Sequence, residues 1–367
     1  MTKADIIVVG GGVIGASIAL RLLADGKRVC LIDAGTDIPP ATRAAAGMLA
    51  PSFEEDMVGG PLEEFGRASL KAWPRFAAML EAGEGSSVDL KLNGILGVYK
   101  NHQGALNGDE LKALEPGLGN MIKSANFVEN EGQVDPLKLA HALMQNLKQH
   151  ASFVFVQACV SSIEATLADV CVGLTNGETL SASTLVLATG ATKTIKANFP
   201  IQPIGTVKGE ALAVRQNKDQ PILHHVVRAE GVYLCPKSDG RIVIGATEID
   251  GAKDLSVDGS SIAELRRRAQ IVVPELEMLP EVARWAGLRP STSDTLPILG
   301  RSDRVPETII FAMGHYRHGI LLAPKTAEFI NNAIQSHAPS GNGPFSPDRF
   351  NNLEVVHHDL AKFQSKV

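Results

Sequence analysis

The sequence predicts an α/β protein: a Rossmann-like dinucleotide-binding domain with a parallel sheet and a β-meander, joined to an α+β domain with an antiparallel sheet. Three observations carry this expectation. The first 33 residues read strand, glycine turn, helix, strand. A helix, a strand and three short β segments follow between residues 135 and 190. Residues 205–285 then change character to strand-like runs separated by polar turns.

Ile6-Ile7-Val8-Val9 is a β-branched run suited to a strand buried on both faces. Gly10-Gly11-Gly12 breaks it, and from Val13 to Ala24 apolar residues recur at helical spacing. Gly26 stops that helix, and Val29-Cys30-Leu31-Ile32 reads as a second buried strand, which completes a βαβ unit. Asp135-Pro136 starts another helix with an N-cap acid and a first-turn proline, and Leu139, Leu143 and Leu147 mark its buried face. Phe153–Val156 follows as a strand. Val160–Ala165, Val170–Thr175 and Glu178–Ser183 make the meander, with Asn176-Gly177 as a hairpin turn. Leu185–Ala188 closes the series.

In the second region Val207–Val214, His225–Leu234 and Arg241–Ala246 read as strands. The capping box Ser261-x-x-Glu264 opens a helix that stops before Pro274. The expected division is 1–65 with 131–205 and 286–350 in the dinucleotide-binding domain, 66–130 with 206–285 in the second domain, and 351–367 as a polar tail. The stretch 339–347 is turn-rich.

Composition removes several function classes. The 367 residues are 44% hydrophobic and 20% charged, enough apolar content for a sizeable core. A net charge of −5 offers no general attraction for nucleic acid or anionic lipid. No apolar run reaches the roughly 20 residues of a membrane helix. Four scattered cysteines make neither a disulfide framework nor a CxxC zinc site. The expectation is a cytoplasmic protein with no nucleic-acid, membrane or metal partner.

Gly10-x-Gly12-x-x-Gly15 has the form of the dinucleotide fingerprint. With 35 glycines in 367 residues, three fixed glycines would arise by chance about 0.3 times, so context carries the argument. The glycines follow a strand and open a helix, and Asp33 closes the next strand 18 residues after Gly15. Gly10 permits the turn, Gly12 lets backbone approach a pyrophosphate, and Gly15 allows close helix–strand packing. Val13 and Ile14 lie in the first turn, whose amides and dipole favour phosphate. Asp33 suits a ribose diol. The fingerprint does not separate NAD from FAD. As no second one exists, a nicotinamide enzyme and a flavoenzyme that hands its electrons to oxygen or another acceptor both stay open.

Three further segments carry a resemblance. Arg43-Ala-Ala-Ala-Gly47-Met48-Leu49-Ala50-Pro51, Trp285-Ala-Gly287-Leu-Arg289-Pro290 and Gly314-His-Tyr-Arg317-His-Gly319-Ile-Leu-Leu-Ala-Pro324 resemble the D-amino-acid oxidase family of FAD proteins, in its glycine-oxidising branch. Val207-Lys-Gly-Glu210 and Val243-Ile-Gly-Ala-Thr247 are similar to it as well. The resemblance spans residues 5 to about 350.

The resemblance implies non-covalent FAD and an oxidative deamination of glycine, sarcosine or small D-amino acids. A hydride would pass from the α-carbon to flavin N5, and oxygen would be reduced to hydrogen peroxide, in a role in thiamine biosynthesis. It places Ala45, Ala46, Gly47 and Met48 along the flavin ring, Val160 at the adenine end, and Gly190, Gly287, Arg289 and His315 near the cofactor. Gly319, Ile320 and Leu321 would aim a helix N-terminus at the flavin's pyrimidine edge. Arg289 would clamp the substrate carboxylate, since a guanidinium fork gives two parallel hydrogen bonds where lysine gives a point charge. Tyr233 would reach the same carboxylate. The Arg317 carbonyl would meet the amine, with a structural ion pair as the alternative for its side chain.

Where some relatives have histidine this chain has Gly231, which implies a more open pocket wall. The family's assemblies imply a homo-oligomer, often a tetramer. A sarcosine or D-amino-acid oxidase or dehydrogenase, and a flavin-binding protein without turnover, are the alternatives. His315-x-x-His318 lacks partners for a metal. His224-His225 should point to opposite faces of a strand, and Arg266-Arg267-Arg268 should be a solvated face.

Overall fold

The structure, a computed structural model, describes residues 4–35, 38–54, 57, 59–83, 87–98, 104–191, 195–336 and 343–350. The expected tail 351–367 and part of the turn-rich stretch 339–347 lie outside them. The helices are α1 (Val13–Ala24), α2 (Pro40–Ala44), α3 (Pro61–Leu80), α4 (Gly108–Leu114), α5 (Pro136–Gln149), α6 (Gly259–Val272) and α7 (Gly319–Ser336).

Ile6–Val9 lies inside a six-stranded sheet, between Val29–Asp33 and Thr184–Leu187. Across the sheet the order is Ile298–Gly300, Ile309–Met313, Thr184–Leu187, Ile6–Val9, Val29–Asp33, Phe153–Gln157, parallel except at the first pair. Both faces are covered, so its central strands are continuously apolar rather than alternating. One face packs against α1, α5 and α7, with α3 laid against α7. The other packs against the meander of Val160–Ala165, Val170–Leu174 and Thr179–Ala182, which turns at Gly177 with φ +87°. Helix α5 starts as its sequence demands: the Asp135 carboxylate accepts from the Leu137 amide at 2.9 Å, with Pro136 in the first turn.

The second sheet has nine strands, in the order Ile249–Asp250, Gly205–Arg215, Arg241–Gly245, Val232–Pro236, Val226–Ala229, Ile95–Val98, Ser124–Val128, Leu106–Asn107, with Glu281–Ser291 along the other side of Gly205–Arg215. It is antiparallel apart from the pairing of Val226–Ala229 with Ile95–Val98. Glu281–Ser291 is continuous through the boundary expected at 285/286. Helix α3 buries Trp73, Ala77 and Leu80 in the first core, because its polar and apolar residues segregate toward α7.

Three local expectations change. His225–Leu234 is two strands, Val226–Ala229 and Val232–Pro236, because Gly231 at φ +67° turns the chain between them. Helix α6 begins at Gly259, since Asp258 is the residue whose carboxylate caps the Ser261 amide, at 2.8 Å. Glu264 reaches forward to Arg267 and Arg268 instead of back to the cap. His224 and His225 both face the buried Glu115, whose two oxygens take both backbone amides and both Nδ1 atoms at 2.8–3.1 Å. The strand starts only at Val226, so strand alternation does not govern that pair.

Candidate active site

The glycine turn is built by close packing. Gly10 takes φ +107°, and a Cβ there would sit 2.2 Å from the Ala188 carbonyl oxygen. A Cβ at Gly15 would fall 1.8 Å from the Gly10 oxygen. Both positions therefore require glycine because strand and helix backbones cross there. Over Gly12, by contrast, a Cβ would meet nothing nearer than Thr42 Oγ1 at 3.7 Å. That open backbone leads into the N-terminus of α1. The Asp33 carboxylate accepts from the Gly11 amide at 2.7 Å and the Gly35 amide at 2.8 Å, so it also fastens the turn. The Thr42 hydroxyl accepts from the Val13 amide at 3.1 Å, a contact that no motif announced.

A cavity of about 590 Å³ extends from this turn to the second sheet. Gly12, Val13 and Ile14 line one end; Ala45, Ala46, Gly47, Met48, Gly190 and Gly287 line its middle. His315, Arg317, Gly319, Ile320 and Leu321 enter from the start of α7, and Tyr233 and Arg289 from the sheet. Gly10, Gly15, Asp33 and Val160 do not line it. The first three stand behind the glycine turn as its packing and fastening. Val160 follows Ala158, whose amide donates to the Asp33 carbonyl at 2.9 Å.

The middle loop is held at several points. Gly47 adopts φ +83°, and a Cβ there would lie 2.2 Å from the Val134 oxygen. Its carbonyl accepts from the Val134 amide at 2.9 Å. Met48–Leu49 pairs with Gly132–Gln133. Trp285 Nε1 donates to the Ala44 carbonyl at 3.2 Å, and Gly287 leaves room for the Ala44 methyl.

The sheet presents a floor of small residues. Register places Ala211, Gly245 and Tyr233 in one cross-strand row, which continues to Arg228. Arg289 lies flat over Gly209, where a Cβ would meet its Nη2 at 2.3 Å. The Tyr233 hydroxyl lies over Gly245, again within 2.4 Å of where a Cβ would be. Any larger residue at Gly209 or Gly245 would lift these side chains out of place. Arg289 donates to the Thr247 carbonyl at 3.2 Å, which fixes one end of the guanidinium. Burial pushes the Tyr233 pKa up to about 12, although Arg289 and Arg228 both pull it down. The hydroxyl therefore keeps its proton and can donate.

At the start of α7, Gly314 and Tyr316 both take positive φ, and the Tyr316 amide donates to the Pro290 carbonyl at 2.8 Å. Burial pushes the His315 pKa down to about 3, so the ring is neutral beside the Thr326 hydroxyl at 3.1 Å. Helix α3 buttresses this start: Ser69 Oγ and Trp73 Nε1 both donate to the Leu321 carbonyl, at 2.7 and 3.0 Å. The Arg317 side chain forms ion pairs with Glu54 at 3.0 Å and Glu248 at 2.9 Å.

Motif reading did not single out Glu54, Arg228 or Glu248, and it read Arg268 as part of a solvated face; all four line the cavity. Two expectations change with them. Arg266 donates to the carbonyls of Leu276, Glu277 and Leu279, and Arg268 turns to the cavity, so the arginine run is not simply a solvated face. The wall at Gly231 is not left open either: Arg268 Nη1 sits where a Cβ at Gly231 would be, 2.2 Å away. The positions were legible as charges, but which strand or helix face would meet them was not.

The backbone cradle at Gly12, Gly190 and Gly319, with space above each glycine and two helix N-termini opening into one elongated cavity, fits a flavin dinucleotide. The family profile of the FAD dependent oxidoreductases matches residues 5–332. The chain is 35% identical to the glycine oxidase of Bacillus licheniformis over 349 residues, 90% of this chain and 92% of that one. It is 33% identical to a bifunctional ThiO/ThiG protein of Synechocystis, covering 95% of this chain and 54% of that protein. The crystal structure of glycine oxidase from Geobacillus kaustophilus superposes with a TM-score of 0.84 at 30% identity, covering 94% of this chain and 98% of that one. The chain belongs to the family of FAD dependent oxidoreductases.

Proposed function

We propose that this chain oxidises glycine and related small amines, sarcosine and small D-amino acids among them, and serves thiamine biosynthesis. One observation carries the reading: Arg289 and Tyr233 lie over Gly209 and Gly245 on the small-residue floor and line the same cavity as the Ala44–Met48 loop. A fork of guanidinium donors beside a protonated phenol suits a carboxylate. The relatives named glycine oxidase support the substrate.

The roles follow from that geometry. Arg289 and Tyr233 bind the carboxylate and so orient the α-carbon toward the loop, a positioning effect. The Arg317 backbone carbonyl accepts from the amine, while its side chain stays with Glu54 and Glu248. Both lining glutamates are thus engaged, and the amine's own lone pair assists departure of the α-hydrogen. FAD, when bound, supplies the acceptor for that hydride, and oxygen takes the electron pair on to hydrogen peroxide. Water hydrolyses the released imine to a 2-oxo acid and ammonia, or methylamine where sarcosine is the substrate. Gly12, Val13, Ile14, Ala45–Met48, Gly190, Gly287, His315 and the start of α7 hold the cofactor by backbone and close packing. Gly10, Gly15 and Asp33 support from behind, and Val160 sits at the adenine end.

The test is the anaerobic absorption spectrum of the FAD-loaded protein before and after glycine. Bleaching is the expected outcome, with peroxide on readmission of air. A flavin bleached only by sarcosine or D-alanine would move the assignment to those amines. One bleached by none of them would end the oxidase reading.

A further inference from the structure

Lys237 is a buried cation for which the proposed chemistry has no use. It is 4% exposed and follows the strand Val232–Pro236 that carries Tyr233. Its Nζ donates to the Ala46 carbonyl at 2.7 Å, the Val134 carbonyl at 2.7 Å and Gln133 Oε1 at 2.8 Å. The Gln133 amide is oriented independently, because its Nε2 donates to the Pro236 carbonyl at 2.6 Å. All three partners are acceptors, and three donors require an ammonium, since a neutral amine has two. Every acceptor is also neutral. Asp135 and Asp89, which act on the lysine through space, are engaged elsewhere, with Arg241 and Ser238.

Such a charge is costly to bury. Burial lowers its pKa, and electrostatic attraction to Cys235, Asp135 and Asp89 opposes this only in part. What it holds is specific: Ala46 lines the cavity, and the Val134 oxygen is the atom that forbids a Cβ at Gly47.

We propose that Lys237 is a positioning residue of the cofactor site, clamping the Ala46–Gly47 bend from behind and placing a positive charge, hydrogen-bonded only to neutral acceptors, beneath the loop where bound flavin would gain negative charge on reduction. This rests on the reading that the loop faces the flavin. A buried cation there favours the reduced, anionic ring over the oxidised one, and low local dielectric strengthens the effect.

The test is the midpoint potential of the FAD-loaded protein by dye-coupled reduction, which needs no amino-acid substrate. Lys237→Met should weaken reduced FAD about tenfold more than oxidised FAD, lowering a two-electron potential by about 30 mV. Gln133→Glu leaves the lysine in place but sets a carboxylate against it, and should lower the potential in the same direction. Lys237→Arg keeps the charge and should restore most of the potential. If Lys237→Met does not fold, Gln133→Glu decides alone. A folded, FAD-bound Lys237→Met or Gln133→Glu with the wild-type potential would reduce Lys237 to a structural staple and overturn the proposal. Normal potential shifts with no bleaching by any amine would sink the oxidase reading and leave this one standing.

Discussion

The two ends of the cavity are made differently. The dinucleotide end is mostly local: Gly10, Gly12, Gly15 and Asp33 lie within 24 consecutive residues on one strand, turn, helix and strand, with Ala188 and Thr42 packed against the turn. The substrate end is assembled: Arg289 lies over Gly209, Tyr233 over Gly245, and Arg228 comes from the next strand. At the first end glycine is required by backbone crossing backbone. At the second it is required because a functional side chain occupies the space a Cβ would take. Defects at the first should therefore abolish binding, and defects at the second should change kinetics while the cofactor stays.

The sharpest way to break this contrast is Gly15→Val. Its Cβ would meet the Gly10 carbonyl oxygen at 1.8 Å, and neither backbone can yield. Overpacking of this kind costs about 1–3 kcal/mol or more, and FAD uptake should be lost; a variant that still binds FAD with wild-type affinity would refute the packing argument.

Arg289→Met should have the opposite signature. Loss of a charged clamp is worth about 2–5 kcal/mol, so kcat/KM for glycine should fall by roughly thirtyfold to several thousandfold, with the flavin spectrum intact. Steady-state kinetics on the FAD-loaded variant check it. Tyr233→Phe removes one neutral donor and should cost about 0.5–1.5 kcal/mol, a roughly two- to tenfold loss read in the same assay. If the tyrosine variant proved the more damaging of the two, the carboxylate would not be held mainly by Arg289.

Glu115→Gln touches neither end and separates folding from catalysis. Burial raises the Glu115 pKa, but the hydrogen bonds from His225 and His224 outweigh it and hold the carboxyl below its ordinary value. With a depressed folded pKa, its stabilisation is fully present above the ordinary glutamate range near 4.5 and is lost as pH falls through the lower folded value. Loss of charged hydrogen bonds should cost about 1.5–3 kcal/mol near neutral pH, measured by denaturant unfolding, with kcat/KM unaltered. The difference from wild type should shrink as pH falls below the ordinary glutamate range and through the lower folded value; a gap that stays constant through acid pH would contradict the assignment.

How much was legible follows the same division. The βαβ unit, the meander and the N-cap at Asp135 could be read because each depends on neighbours in sequence. The turn at Glu230-Gly231 was read through as strand and the start of α6 was placed a few residues late, since strand-like residues flank a two-residue turn on both sides and two acceptors, Asp258 and Ser261, compete for one cap. The site motifs were recognised through resemblance. The residues that complete the site, Glu54, Arg228, Arg268 and Lys237, belong to no motif.

The sequence by itself determined the strands of the parallel core and the glycine fingerprint between strand and helix, because hydrophobic period, turn chemistry and backbone sterics act over a few residues. Only the tertiary structure decided that Arg268 fills the space above Gly231, that Lys237 grips the Ala46–Gly47 bend, and that Glu54 lies against Arg317. Each of these joins positions from 37 to 263 residues apart in the chain. A long charged side chain can serve any partner within its reach, and strand register and helix docking determine which one it meets.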